Sequence, residues 1–190
     1  MLSIVGICLR ALLLFIAAVV LGLSVTLARQ QAIGSVPPET GFGTFLGAAG
    51  FFASAFGMMA LWFDQIQGRM LMVLDLVVSL FYLAGAIALT VAMKTVLSCN
   101  AADDASLYSR VANKILSGGC IHDGKDLACP HAASPSGTDF TASRCQMAQA
   151  DYVFEYAGFV FGLFMVSMGY LLHRRGRGGT PAPTSAYHQG

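Results

Sequence analysis

Four long apolar blocks constrain this chain more than any other feature. They run roughly over residues 2–28, 44–63, 70–93 and 152–172. Each has about 20 residues or more, enough for a helix rising 1.5 Å per residue to cross a hydrocarbon core about 30 Å thick. Lipid offers no water to backbone polar groups, so each block is expected to be helical. The pattern predicts an all-α membrane bundle of four transmembrane helices.

The composition supports the same class. Of the 190 residues, 56% are hydrophobic and only 11% are charged, more apolar surface than a soluble domain of this size could bury. A net charge of +1, without a basic stripe interleaved with aromatic residues, gives no reason to expect nucleic acid as a partner.

The first block has an alternative interpretation as a cleaved signal peptide, because "TLA" (26–28) offers small residues before a cut. The chain lacks a basic start, however, and the apolar run exceeds the usual 7–15-residue signal core. We therefore expect an uncleaved first span.

The orientation rests on charge and cysteine usage. A basic cluster follows the fourth span directly and favours contact with anionic headgroups of the cytoplasmic leaflet; it consists of Arg174, Arg175 and Arg177. Four of the five cysteines lie in the long polar loop, about 95–149, as expected of disulfides in an oxidising space. We expect this loop to be extracellular and both termini cytosolic, with 174–190 a disordered tail that is rich in Gly, Pro, Ser and Thr.

Four loop cysteines allow three pairings, and sequence alone does not decide between them. Cys99 and Cys145 each lie close to a span, so the bilayer holds them at nearly the same height. Cys120 and Cys129 are near each other in sequence, which makes their closure entropically easy. We expect an outer Cys99–Cys145 bond with Cys120–Cys129 nested inside it.

A metal site is the alternative use of these cysteines, since His122 and His131 lie nearby. The C-x8-C and C-x-H spacings do not match the usual paired hooks of zinc sites. We expect neither a metal nor another cofactor.

Two charges are expected within the hydrocarbon. Arg10 and Asp75 lie at similar depths from the same face, and an unpaired charge at mid-helix costs about 2.5–3.5 kcal/mol on insertion scales. We predict that they pair. The alternative has Arg10 snorkelling to lipid phosphates while Asp75 faces a wet crevice. Near the other face, Arg29 is a candidate partner for Glu155.

Small residues recur at helix-packing intervals. Such spacing lets helices approach closely, either within the bundle, which we favour, or between protomers. The residues are Gly43, Gly47, Gly50, Ser54, Gly158 and Gly162.

Several motifs together resemble a known family: Arg10, "LDL" (74–76), "SCN" (98–100) and "RCQMAQA" (144–150). The chain is similar over about residues 1–172 to the fungal non-classical export proteins, which belong to the MARVEL-domain four-helix membrane proteins. The loop departs from that pattern, because 101–142 is longer than expected and the Cys120–Cys129 pair looks like an addition.

The resemblance implies a four-helix domain over 1–173 in the plasma membrane. It further implies an organiser or sensor of sphingolipid- and sterol-rich microdomains of the eisosome type, acting by lateral association with lipids and as a homo- or hetero-oligomer with other membrane proteins. The alternative function is a small transport or unconventional-export component. No catalytic set stands out, so no enzyme activity is expected. Cys8, near the cytosolic face, is either a palmitoylation site or a small lipid-facing residue.

Overall fold

The structure, a computed structural model, describes residues 2–60, 68–123, 126–131 and 140–177. The elements, in chain order, are α1 (Leu2–Arg29), α2 (Pro38–Ala60), α3 (Gly68–Met93), α4 (Asp104–Val111), α5 (Lys114–Ser117), β1 (Ile121–Asp123), β2 (Asp126–Ala128) and α6 (Phe140–Arg177). Four helices, α1, α2, α3 and α6, are long and apolar enough to cross a membrane. The predicted all-α class with four spans is confirmed.

The four long helices form a ring in which each packs against two neighbours. The most extensive contacts join α1 to α2 and α3 to α6, while α6 also packs on α1 and α2 touches α3 less. Large apolar side chains cover the outside, and Phe15, Phe52 and Val160 are each more than half exposed. Polar side chains such as Ser79 and Glu155 are buried inside. This distribution suits a bundle whose solvent is lipid.

Two helices begin earlier than their apolar blocks. α2 begins at Pro38 rather than at residue 44, where proline loses nothing by lacking an N–H and Glu39 complements the positive end of the helix dipole. α6 begins at Phe140 rather than near Tyr152, so the last part of the predicted loop, 140–149, is helical. α6 also continues to Arg177, so residues 174–177 of the tail predicted to be disordered are helical. Residues 61–63 of the predicted second span and 178–190 of the predicted tail lie outside the described residues.

The rest of the long loop forms a small folded unit, here called the headpiece (residues 98–123 and 126–131). It contains α4, α5 and an antiparallel hairpin in which β1 pairs with β2. Asp103 caps α4 by accepting the N–H of Ser106 at 3.0 Å, and this hydrogen bond holds the pKa of Asp103 below its usual range. The cap is therefore fully formed at neutral pH and is lost only as acid protonates this carboxylate.

One apolar cluster joins the headpiece to the bundle. Ile115 and Leu116 of α5 pack there with Leu27, Leu89 and their neighbours near the ends of α1 and α3. The headpiece consequently lies directly on one end of the bundle, which is called the headpiece end below.

Candidate functional site

Arg10 and Asp75 meet inside the bundle. The two terminal guanidinium nitrogens of Arg10, Nη1 and Nη2, donate to the two carboxylate oxygens of Asp75 at 2.6 and 2.5 Å. The two residues are only 4% and 8% exposed. α1 and α3 are not neighbours in the ring, so the arginine side chain crosses the bundle axis. It lies against Gly57 of α2, where a Cβ would overlap the guanidinium group. Of the two arrangements considered from the sequence, the structure contains the paired one.

A narrow polar interior continues from this pair toward the headpiece end. Ser79 donates to the Asp75 carbonyl at 2.6 Å, and Tyr82 follows one turn later on α3 with its side chain only 3% exposed. A cavity of about 20 Å³ lies between them, lined also by Ser54 and Gly50. A space this small admits about one water molecule. It is not a channel.

Beyond Tyr82, toward the headpiece end, α6 contributes two buried carboxyl groups, those of Asp151 and Glu155. Ser24 of α1 donates to Asp151 at 2.6 Å, and Glu155 lies at the centre of the ring, close to Gly43 of α2 and Gly85 of α3. Both acids are 1% exposed. The predicted partner Arg29 is exposed at the surface, and Arg10–Asp75 is the one salt bridge between residues that the structure describes. The suggested Arg29–Glu155 pairing is therefore wrong, because a cation at the rim does not reach the bundle axis.

The small residues singled out in the sequence all face the interior. Gly43 packs on Ser24, Gly47 on the backbone of Leu21, Gly50 and Gly158 on Tyr82, and Gly162 on Ser79, while Ser54 is buried. Where the structure describes them, these residues therefore serve packing within one bundle. Sequence reasoning missed Gly57 and Gly85, although Gly57 continues the alternating four- and three-residue spacing of the small residues along α2 and could have been found from it.

Two disulfides hold the headpiece. The outer disulfide joins Cys99, just after α3, to Cys145 of α6, with Cα atoms 5.4 Å apart. The inner disulfide joins Cys120 to Cys129 across the base of the hairpin, with Cα atoms 4.3 Å apart. His131, the suggested metal ligand, contacts instead the carbonyl of Gln30 at 2.8 Å. No set of three His, Cys, Asp or Glu residues suitable for a metal occurs in the described ranges.

The two motifs with the most specific resemblance are in contact with each other. Besides the outer disulfide, the side chain of Gln146 donates to Asn100 at 2.7 Å. The "SCN" and "RCQMAQA" segments thus form one junction between the end of α3 and the first turns of α6.

Two buried arginines, to which the sequence analysis assigned no role, organise the headpiece. Arg110 donates to the carbonyls of Ser98 and Ala101 at 2.9 and 2.8 Å. Arg144 donates to the Ile115 carbonyl at 3.2 and 2.5 Å and to the Gln30 side chain at 3.0 Å. Their signal in the sequence was position: Arg144 adjoins Cys145, and Arg110 sits in the last turn of an amphipathic helix capped by Asp103.

The remaining candidates lie at the opposite end of the bundle. Arg174 is exposed on the last turns of α6, which continue to Arg177; the side chains of Arg175 and Arg177 lie outside the described residues. Cys8 is a free, exposed thiol on α1. These positions are compatible with headgroup contact and acylation, and both remain predictions.

The fold and its buried polar groups define a multi-pass membrane protein built as a four-helix bundle with a disulfide-linked headpiece. The chain matches the family model of the MARVEL membrane-associating domain over residues 3–170 and therefore belongs to that family. No curated protein and no solved structure matches it. MARVEL-domain proteins are non-enzymatic membrane proteins with a general role in membrane apposition and lipid domains.

Proposed function

We propose that this protein organises or senses lipid domains in the plasma membrane through lateral association with sphingolipids, sterols and other membrane proteins. The observation that carries the proposal is the contrast between its two surfaces. The interior is closed by the Arg10–Asp75 pair, and the cavity beside this pair has a volume of only about 20 Å³. The outer surface of the ring of helices, in contrast, presents large apolar side chains. Because the interior is closed in this way among the described residues, the surfaces left for binding are those that face lipid and the headpiece.

The proposal includes a fungal, eisosome-type setting, supported by the resemblance of the "SCN" and "RCQMAQA" segments, which the structure brings into contact. It also includes an orientation with the headpiece outside and both termini cytosolic. The disulfides of the headpiece support that orientation, because such bonds persist in oxidising compartments. External protease on sealed cells should cleave the headpiece and spare an epitope at the C-terminus; loss of the epitope from sealed cells would reverse the orientation.

Reconstitution tests the organiser function. In giant vesicles that separate into sphingolipid–sterol-rich and unsaturated phases, the labelled protein should concentrate in one phase and shift the temperature at which the phases mix. Equal partition with an unchanged mixing temperature would contradict the proposal.

A transport or export component is the second candidate, favoured by one observation: Asp75, Glu155 and Asp151 are ionisable groups inside the bundle, as transport pathways require. Proton or ion flux into sealed liposomes that contain the protein, abolished in Glu155→Gln, would establish this function instead.

A further inference from the structure

A groove lies at the headpiece end between α2 and α3. Its volume is about 910 Å³, within the range of about 300–1,000 Å³ usual for small-molecule sites. One wall is formed by Pro38 and Glu39 at the start of α2, and another by Ala92 and Thr95 at the end of α3. Glu39 lies five residues before the apolar block that begins at Thr44, and Thr95 lies two residues past the end of α3, which puts the groove at the depth of lipid headgroups.

The walls of the groove are held in place by hydrogen bonds. Gly118, with a φ of 70° that favours glycine, presents its carbonyl to the N–H groups of Ala32 and Ile33, both at 3.0 Å. Asn113 donates to the Ala92 carbonyl at 2.8 Å and accepts the N–H of Ile115 at 3.0 Å. The first loop, α5 and the end of α3 are thereby fixed to one another. These three parts of the groove, unlike the wall formed by α2, therefore lose little conformational freedom on binding.

Among the residues that the structure describes, the lining of the groove carries one charge of each sign. Lys114 is exposed at the start of α5, and Glu39 is half-buried in the first turn of α2; both line the groove. Neither is in an ion pair with another described residue. The hydroxyl group of Thr95, which is exposed, adds a neutral hydrogen-bonding partner. A ligand that carries both a phosphate and an ammonium group complements this pair of charges.

We propose that the groove binds the zwitterionic headgroup of a membrane phospholipid, with its phosphate at Lys114 and its amine at Glu39. The lipid source follows from the depth of the groove at the ends of two spans. The inference rests on the proposed function, in that it names the headgroup chemistry through which the protein contacts lipid.

The test uses the full chain, purified and exchanged into detergent with defined lipids, and counts retained lipid by native mass spectrometry. The probes are phosphatidylcholine and phosphatidylethanolamine, with phosphatidylglycerol lacking the amine and diacylglycerol lacking both the phosphate and the amine. The wild type should retain phosphatidylethanolamine about ten-fold better than either other lipid, a factor typical of one charge-assisted hydrogen bond. Phosphatidylcholine, whose quaternary ammonium has no N–H and meets Glu39 through charge alone, should also be retained better than either of them. Equal retention of phosphatidylglycerol would overturn the assignment of the amine to Glu39.

Substitutions locate the site. Lys114→Gln should lower retention of zwitterionic lipid about ten-fold, and Glu39→Gln should remove the discrimination against phosphatidylglycerol. Lys94→Gln is the matched control, because Lys94 is exposed near the same end but does not line the groove. Unchanged retention in Lys114→Gln, or an equal loss in Lys94→Gln, would overturn the proposal.

Two further measurements keep the outcomes distinct. An intact outer disulfide and an unchanged unfolding midpoint show that a variant is folded; if Glu39→Gln fails this check, Glu39→Lys in combination with Lys114→Glu should restore zwitterionic retention. In phase-separated vesicles, a wild type that fails to choose a phase but keeps its headgroup preference counts against the proposed function and leaves the groove standing. A wild type that chooses a phase but shows no headgroup preference would instead refute the groove proposal and leave the proposed function standing.

Discussion

The strongest quantitative prediction concerns the buried charge pair. Asp75→Asn leaves the guanidinium of Arg10 inside the bundle without its counter-charge, against Gly57 on the neighbouring helix. Removing one partner of a buried pair typically costs about 3–5 kcal/mol. Arg10 lies about two turns from the start of α1 and can relax partly toward headgroups, so we expect a loss of about 3 kcal/mol. That is more than a hundred-fold in the unfolding equilibrium constant at about 1.4 kcal/mol per ten-fold.

A double-mutant cycle separates pairing from simple polarity. Arg10→Leu should cost about as much as Asp75→Asn, because it leaves the carboxylate buried alone. The double variant Arg10→Leu/Asp75→Asn should cost less than the sum of its two single variants by about 2 kcal/mol or more, because neither buried charge remains. The measurement is the free energy of unfolding in bicelles by steric trapping. Singles that add to within about 0.5 kcal/mol would show that the two side chains do not stabilise each other.

Exchanging the charges gives a further control on the same pair. Arg10→Asp with Asp75→Arg restores opposite charges at one depth, although the new arginine no longer meets Gly57. The free energy of unfolding should recover in part relative to Arg10→Asp alone. No recovery would indicate that Arg10 is stabilised by its contact with Gly57 of α2 instead of by the charge of Asp75.

Three other predictions follow from the packing and the headpiece. Gly47→Ala places a Cβ 2.5–2.7 Å from atoms of Leu21, mostly backbone, and should lower the free energy of unfolding by about 1–3 kcal/mol. The control Gly22→Ala, whose Cβ meets nothing within 4 Å, should leave the free energy of unfolding unchanged. Equal effects of the two substitutions would contradict the packing argument. Replacing both cysteines of the outer disulfide by serine should cost about 4 kcal/mol, against about 2.7 kcal/mol for the inner disulfide in the chain-entropy model; a non-reducing peptide map that joins Cys99 to Cys120 would refute the pairing itself. Arg144→Lys keeps the positive charge but loses the several N–H donors of the guanidinium group. Amide hydrogen exchange in α5 should therefore accelerate while the membrane helices stay protected. Unchanged exchange in α5 would show that Arg144 does not hold the headpiece.

The spans were predictable to the extent that their ends coincide with a change in hydropathy. α1 and α3 are apolar to within a residue or two of both ends, so their predicted and observed bounds nearly agree. α6 has its first turns outside the apolar block, and the helix there is polar on one side. Its buried face is visible only as a helical spacing, with Thr141, Arg144, Cys145 and Ala148 all buried. A hydropathy criterion does not detect such a helix.

Some long-range contacts between side chains were predictable from the sequence and others were not. Arg10 and Asp75 were predictable as a pair because few charges lie in the apolar blocks and these two share a depth. Arg144 could not be assigned a role, since its acceptors are mostly backbone carbonyls such as that of Ile115, which carry no mark in the sequence. The same reasoning that found the first pair misled for Glu155, because proximity in depth says nothing about distance from the bundle axis.

The helices differ in how they are held, and this difference identifies the adjustable part of the bundle. α3 is bonded to α6 by the outer disulfide, and α1 reaches α3 and α6 through Arg10 and Ser24. α2 contributes no side-chain hydrogen bond to another helix among those of the described residues and packs instead through its row of small residues. Dispersion contacts of this kind compete directly with contacts to lipid tails, because lipid and helix are equally apolar. We therefore expect the position of α2 relative to α3, the neighbouring pair with the least extensive contacts, to respond most to the surrounding lipid; the headgroup groove opens between these two helices.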